Sequence, residues 1–355
     1  EVMQDTMKRM DSSTAPDRPL EGRRILFVGV GFFSYDTIIA DGLRAMGADV
    51  EAVAERPGLL LQSHLLSSPI NKLPLLRKRV QRRHEDRLKA QLDDHQFDTV
   101  LVLKGDSLGI GFLDLLRRAH PEATFILYQW DSINLIKNFS ELRKRFDRCL
   151  TFDRRDAASD ETLVFRPLFF SRQSKSLEAS PHGAVFVGSM HSNRLKLVKQ
   201  VKSYAEAQGI PVRVYIRMGL FNFVSQFIKG DLRDIHFRAL PYETYVAWTK
   251  QAEAVLDFPH PLQSGLTMRT LEAIGLGKKI ITTNREIANY SFYGSENICV
   301  LTEEQPLIPD GFLDRTPAVY DPEIVKRFSL QQWLLDVLDC NSPSDCGSTE
   351  AARPW

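Results

Sequence analysis

The stretch from Asp257 to Asn284, DFPHPLQSGLTMRTLEAIGLGKKIITTN, concentrates residue types suited to a phosphorylated ligand. An apolar run closing at Phe258 has the pattern of a buried strand. The polar turn His260-Pro261-Leu262-Gln263-Ser264-Gly265 follows, and the spacing predicts a helix over about 265–276. Ser264 and Gly265 at such a helix start would leave N–H groups pointing outward, where a phosphate is favoured. Arg269 and Glu272 fall one turn apart on the same side of that helix. A glutamate there can accept two ribose hydroxyls while an arginine neutralises a diphosphate. The same spacing also describes a capped helix carrying an i,i+3 ion pair.

Other candidates follow apolar runs as well. In Val185–Arg194 (VFVGSMHSNR), Gly188 permits close backbone approach and Arg194 could meet a phosphate, although a plain strand-to-helix turn reads the same way. Arg217 ends the run 212–216 and is a similar candidate. Earlier in the chain, Lys104-Gly105-Asp106 and Trp130-Asp131-Ser132 stand in equivalent places. Either aspartate could serve as a general base, Asp131 the first choice and Asp106 the second. A helix N-cap role explains Asp131 equally well. Trp130 would either stack on a sugar or fill the core. Gly29-Val30-Gly31-Phe32-Phe33-Ser34 echoes a dinucleotide fingerprint, but a serine replaces its third glycine, so no nicotinamide or flavin is expected.

Composition narrows the chemistry further. Lys plus Arg (46) balance Asp plus Glu (45), which argues against a polyanion binder. No nucleic-acid recognition motif accompanies the basic run 72–89 (KLPLLRKRVQRRHEDRLK). That run, with Leu73, Leu76, Val80 and Leu88 near one face, suits either an anionic lipid surface or plain solvent. There is no Asp-x-Asp triplet, the eight histidines are scattered, and Cys149, Cys299, Cys340 and Cys346 lack zinc spacing. No metal and no cofactor is therefore expected. No apolar run reaches the ~18 residues of a spanning helix, and residues 1–21 are not signal-like, so a cytoplasmic or inner-face location is expected.

These residues need a scaffold that brings strand ends together. Buried runs at 24–30, 49–54, 99–104, 124–128 and 148–152 alternate with helical stretches such as 34–46 and 110–119. After a serine-rich segment, 171–183, the alternation restarts at 184–187, 212–216, 254–258 and 279–283. The expectation is an α/β protein of two Rossmann-like domains, 22–170 and 184–322, facing a cleft. A flexible leader (1–21), a linker (171–183), an amphipathic helix (323–338) and a disordered tail (339–355) complete it. Open parallel sheets bind ligands beyond the carboxyl ends of their strands, where all these candidates lie.

The 257–284 segment resembles the donor-nucleotide segment of GT-B glycosyltransferases. With the Tyr128–Ser132 turn and the Phe165-Arg166-Pro167-Leu168-Phe169 crossover, it is similar to bacterial proteins of capsule and O-antigen clusters, described as lipopolysaccharide biosynthesis or CgeB-like proteins. The resemblance covers about residues 24–335. It implies a nucleotide-sugar co-substrate bound by Gly188, Arg194, Arg217, His260, Ser264, Gly265, Arg269 and Glu272, and a glycan or lipid-linked glycan acceptor. It also implies metal-independent transfer, with leaving-group charge on helix dipoles and arginines. Many retaining members carry Glu-x7-Glu, but Ser264 stands eight positions before Glu272, so the stereochemical outcome does not carry over. His260-Pro261 keeps a CMP-sugar open beside UDP, GDP and dTDP sugars. A nucleotide-sugar 2-epimerase and a non-catalytic assembly subunit are the competing readings.

Overall fold

Runs of β-branched and aromatic residues bounded by glycine or polar turns become strands buried on both faces, because helices cover each side of a parallel sheet. The computed structural model describes residues 18–31, 34–58, 73–174, 182–190, 194–218, 233–304, 306–313, 319–340 and 355. The first sheet contains β1 (Arg24–Gly29), β2 (Asp49–Ala54), β3 (Thr99–Leu103), β4 (Thr124–Gln129), β5 (Arg148–Thr151) and β6 (Leu163–Phe165), in the order β2-β1-β3-β4-β5-β6. The second contains β7 (His182–Ser189), β8 (Val212–Arg217), β9 (Ile235–His236), β10 (Ala252–Asp257), β11 (Lys279–Thr282) and β12 (Ile298–Val300), ordered β12-β11-β10-β7-β8-β9. Every pairing between these strands is parallel. Strand order reverses between β1 and β3 and again between β7 and β10, which opens a crevice at each switch point.

The covering helices are α1 (Tyr35–Ala45), α2 (Pro74–Leu92), α3 (Ile110–Ala119), α4 (Phe139–Arg143), α5 (Arg154–Ser159), α6 (Arg194–Ala207), α7 (Tyr242–Gln251), α8 (Met268–Gly275), α9 (Pro322–Lys326) and α10 (Leu330–Val337). Two expectations need correction here. The helix after the polar turn starts at Met268, because the Thr267 side chain caps it by accepting from the Thr270 N–H. The single C-terminal helix is two, since Asp321 and Ser329 each cap a separate start. The basic helix α2 buries Glu85, Leu88 and Leu92 and leaves Leu76 exposed, as is Leu73 just before it. Most of the leader lies outside the described residues, but Leu20 at its end is fully buried. The expected tail is described only at Asp339, Cys340 and Trp355.

One hydrophobic core runs through both domains. It joins Phe27, Tyr35 and Phe169 to Val185, Leu266 and Leu271, and includes Trp333 of α10. Trp333 is fully buried, with its ring centroid 4.8 Å from Tyr128 and 4.9 Å from Phe169. Leu330 and Leu334 of α10 lie against α1, where a Cβ on Gly42 would come within 2.9 Å of Leu330. The chain thus returns to the first domain after building the second.

A polar contact fixes the approach of the two sheets. The buried Asp153 carboxylate accepts from the Arg155 N–H (2.9 Å) at the start of α5. Across the domain boundary it accepts from the Ser264 N–H (2.7 Å), the Gly265 N–H (3.2 Å) and the Ser264 hydroxyl. Gly265 must be glycine, because a Cβ there would lie 2.7 Å from the Phe152 carbonyl oxygen and run into its ring. Replacing Asp153 by Ala strands several buried donors at once and should lower unfolding free energy by about 3 kcal/mol or more in urea denaturation. A loss below ~1 kcal/mol would show that water replaces the carboxylate.

Candidate functional site

A cavity of about 290 Å³ lies between the domains, where the carboxyl ends of β4, β7 and β8 approach each other. Its second-domain side is basic. Gly188, near the end of β7, leaves room for Arg269, whose Nη1 would stand 3.0 Å from a Cβ placed there. Arg269 donates from Nε (2.9 Å) and Nη2 (2.7 Å) to Asp257 at the end of β10. Thr270 donates to the other Asp257 oxygen at 2.7 Å. Arg269 is therefore neutralised by Asp257, and the expected i,i+3 pairing with Glu272 does not form.

Arg194, at the start of α6, is only 5% exposed. Its Nε donates to the Phe258 carbonyl and its Nη1 to the Ser189 carbonyl, both at 2.7 Å. These partners are dipoles, and among the described residues no carboxylate contacts it. Burial lowers its pKa, the Arg269 charge lowers it further, and Asp257 opposes both. A guanidinium does not give up its proton in a protein, so this environment amounts to a demand for an anion. Arg217, at the end of β8, also lines the cavity, and burial lowers its pKa as well.

The opposite side combines Asp131 with an aromatic wall. Tyr35 packs 5.9 Å from Trp130 and 5.6 Å from Tyr242, so rings from both domains meet beside the cavity. Asp131 is not a helix cap: the Ile133 N–H and the Ser132 hydroxyl donate instead to Asp156. The Asp131 carboxylate pairs with Lys104 Nζ at 2.7 Å and accepts from Gln263 Nε2 of the second domain at 3.0 Å. Lys104 has φ of 62°, a left-handed conformation that is uncommon for a side chain-bearing residue. The Trp130 ring, 6.1 Å from Phe169, both packs on the core and faces the cavity.

Of the residues singled out from the sequence, Asp131, Gly188, Arg194, Arg217 and Arg269 line the cavity together. The others stand elsewhere. Ser264 and Gly265 do not present free N–H groups, because Asp153 takes them. Glu272 is fully buried, and one of its oxygens accepts from the Ser171 hydroxyl (2.8 Å) and the Tyr242 hydroxyl (3.0 Å). Its other oxygen has no hydrogen-bond partner among the described residues. Burial raises its pKa, against the pull of Ser171 and Tyr242. His260 Nδ1 accepts from the Leu262 N–H within its own turn (3.2 Å). Asp106 pairs with Arg56 at 2.9 Å, beside the cavity but not on its wall. In the glycine loop, the Gly31 N–H goes to Asp36 at 2.5 Å, so a carboxylate occupies the place of a dinucleotide phosphate. Among the described residues no group of three or more His, Cys, Asp or Glu side chains is placed to hold a metal.

Sequence reasoning overlooked Gln263, Tyr35, Tyr242 and Glu55. Glu55-Arg56 directly follows β2, and the strand-end rule that found Asp106 and Asp131 would have found it too.

No protein-family model matches the chain, and no curated protein matches it in sequence. Solved structures do resemble it. AviGT4, a glycosyltransferase involved in avilamycin A biosynthesis, superposes with a TM-score of 0.56 at 13% identity over 92% of this chain and 99% of its own. The UDP-GlcNAc 2-epimerase of Neisseria meningitidis, bound to UDP-GlcNAc, gives 0.51 at 9% identity over 90% and 99%. The N-terminal domain of Candida albicans trehalose-6-phosphate phosphatase gives 0.50 at 11% identity over 91% and 99%. At such identities the likeness concerns the fold. The chain has the GT-B fold: two parallel α/β domains facing each other across a cleft.

Proposed function

We propose that the chain is a glycosyltransferase that moves a sugar from a nucleotide-sugar donor to a glycan or lipid-linked glycan of a bacterial surface polysaccharide. The observation that carries this reading is Arg194, a buried guanidinium with no carboxylate contact among the described residues, facing Asp131 across the interdomain cavity. The donor phosphates would bind Arg194, Arg217 and Arg269 beside the Gly188 backbone. Asp131 would take the proton of the acceptor hydroxyl as its oxygen attacks the anomeric carbon. The bond from that carbon to phosphate oxygen breaks, and the nucleotide leaves with its new charge held by the arginines. Neither step calls for a metal. The aromatic wall beside Asp131 offers a surface for a second substrate, which favours transfer over epimerisation of the donor alone. Glu272 would act from below, by holding Tyr242 against the cavity.

The same reading puts the enzyme at the inner face of the cytoplasmic membrane. Helix α2 exposes Leu73 (56%) and Leu75 (84%) beside the exposed Arg77, Lys78, Arg79, Arg82 and Arg83, a combination suited to anionic lipid. Among the described residues no helix is long and apolar enough to cross a membrane.

Thermal stabilisation by CMP, UDP, GDP and dTDP tests the donor site, since a ligand that binds only the folded chain raises its melting temperature. Arg194→Met should weaken that stabilisation, a loss of ~1.5–3 kcal/mol in affinity. Full nucleotide binding in this variant would refute the site. Asp131→Asn preserves size but removes the basic carboxylate, and should lower transfer by at least ~10²-fold with nucleotide binding unchanged. Undiminished transfer would assign the base elsewhere. Changing Arg77, Lys78, Arg82 and Arg83 to Gln should weaken binding to anionic vesicles by ~1 kcal/mol per residue, and unchanged vesicle binding would return α2 to solvent.

A further inference from the structure

Beside the cavity lies a charged cluster of which the transfer scheme uses only Asp131. Glu55 follows β2 and is fully buried. Its N–H donates to the Gly29 carbonyl at 2.8 Å, and its own carbonyl accepts from Gln81 of α2 at 2.8 Å, so its backbone is fixed. Arg56 Nε stands 3.2 Å from the Glu55 carboxyl but gives its hydrogen to Ser107 Oγ at 2.7 Å. Among the described residues neither carboxyl oxygen of Glu55 receives a hydrogen bond. An ionised carboxylate without donors at such depth is strongly disfavoured. A protonated one is not, and the nearby Asp106 charge favours the protonated form.

The contacts continue to the cavity. Asp106 accepts from Arg56 Nη2 at 2.9 Å and lies 3.5 Å from Lys104 Nζ. Lys104 Nζ is 2.7 Å from Asp131. Three carboxyls, Glu55, Asp106 and Asp131, thus share two cations, Arg56 and Lys104, and a single proton balances the cluster. From α2, His84 and Glu85 face the same loop through the Ala54 carbonyl and Gln81, and Asp36 of α1 lies against Gly29. Burial pushes the Glu55 pKa up to about 8, the Asp106 charge adds to the rise, and Arg56 and Lys104 oppose it.

We propose that Glu55 is a positioning residue for Asp131: by holding a proton it leaves Arg56 and Lys104 engaged with Asp106 and Asp131, which keeps Asp131 aimed into the cavity. This rests on the reading of Asp131 as the base of the transfer reaction. Ionisation of Glu55 adds a negative charge that competes for Lys104. Removing the Asp131 carboxylate releases Lys104 and so eases the ionisation of Glu55.

The test follows melting temperature from about pH 5 to about pH 9 in the wild type, Glu55→Gln, Asp131→Asn and the double variant. The folded pKa of Glu55 lies above its unfolded value near 4.5, so its contribution to stability is complete below that value and is lost as pH rises toward about 8. Gln mimics the neutral acid and does not titrate. The advantage of Glu55→Gln over the wild type should therefore grow with pH and level off near pH 8. In the Asp131→Asn background the same advantage should level off at a lower pH. Parallel wild-type and Glu55→Gln curves would overturn the proposal, and so would an unchanged profile in the Asp131→Asn background. Should Glu55→Gln not fold, Asp106→Asn replaces it: removing the facing charge should shift the alkaline loss of wild-type stability to lower pH, and an unshifted loss overturns the proposal. Stabilisation by UDP, GDP, CMP and dTDP at pH 7, measured on the same samples, judges the donor reading separately. If no nucleotide stabilises the wild type, that reading fails while the pH profiles still decide the role of Glu55.

Discussion

The Asp153 carboxylate, closed off from water between two sheets, is the constraint on which the cleft depends. It accepts from the start of α5 in the first domain and from the Ser264–Gly265 turn in the second. A buried carboxylate needs most of its acceptor capacity filled, and here donors from both domains fill it only when the domains approach at one distance and angle. Gly265 lets that approach proceed to contact with Phe152. Asn284 reinforces the turn by donating to the Ser264 carbonyl at 3.0 Å. The neighbouring Gln263 is carried along and reaches Asp131 from the opposite domain.

The cleft formed in this way is electrically divided. Its second-domain wall presents Arg194, Arg217 and Arg269, of which Arg269 is neutralised by Asp257 and Arg194 has, among the described residues, only carbonyl dipoles as hydrogen-bond partners. Its first-domain rim carries the carboxyl-rich cluster that ends at Asp131. An anionic group and a hydroxyl that must lose a proton would be drawn to different walls of one small cavity, with aromatic rings between them. In low dielectric surroundings both preferences are stronger than in water.

Tying the C-terminal helix to the first domain makes the two halves one mechanical unit. Trp333 fills the space between Tyr128 and Phe169, directly beneath the turn that carries Trp130 and Asp131. Arg166 pairs with Asp336 of the same helix at 2.7 Å, deep in the structure. The crossover Phe165–Phe169 and α10 are therefore parts of the support under the Asp131 side of the cleft.

The strands, most helices and the two-domain α/β plan were legible in the linear pattern, because burial on both faces of a parallel sheet imposes apolar runs that need no partner to be recognised. The strand-end rule also located Asp131, Gly188, Arg194 and Arg217, since topology alone places such residues at the crevice, and helix spacing located Arg269. Which polar group satisfies which was not legible. Arg269 and Glu272 are one turn apart, yet Arg269 turns to Asp257 and Glu272 to Ser171 and Tyr242. The Ser264 and Gly265 N–H groups have the local form of a phosphate cradle, yet a carboxylate 111 residues earlier than Ser264 occupies it. Asp131 has the local form of a cap, yet Asp156 does the capping. Helical and strand periodicity records only whether a position faces the core. The partner of a buried charge is decided by whichever donor or acceptor the packed domains bring within about 3 Å, and that information exists only in three dimensions.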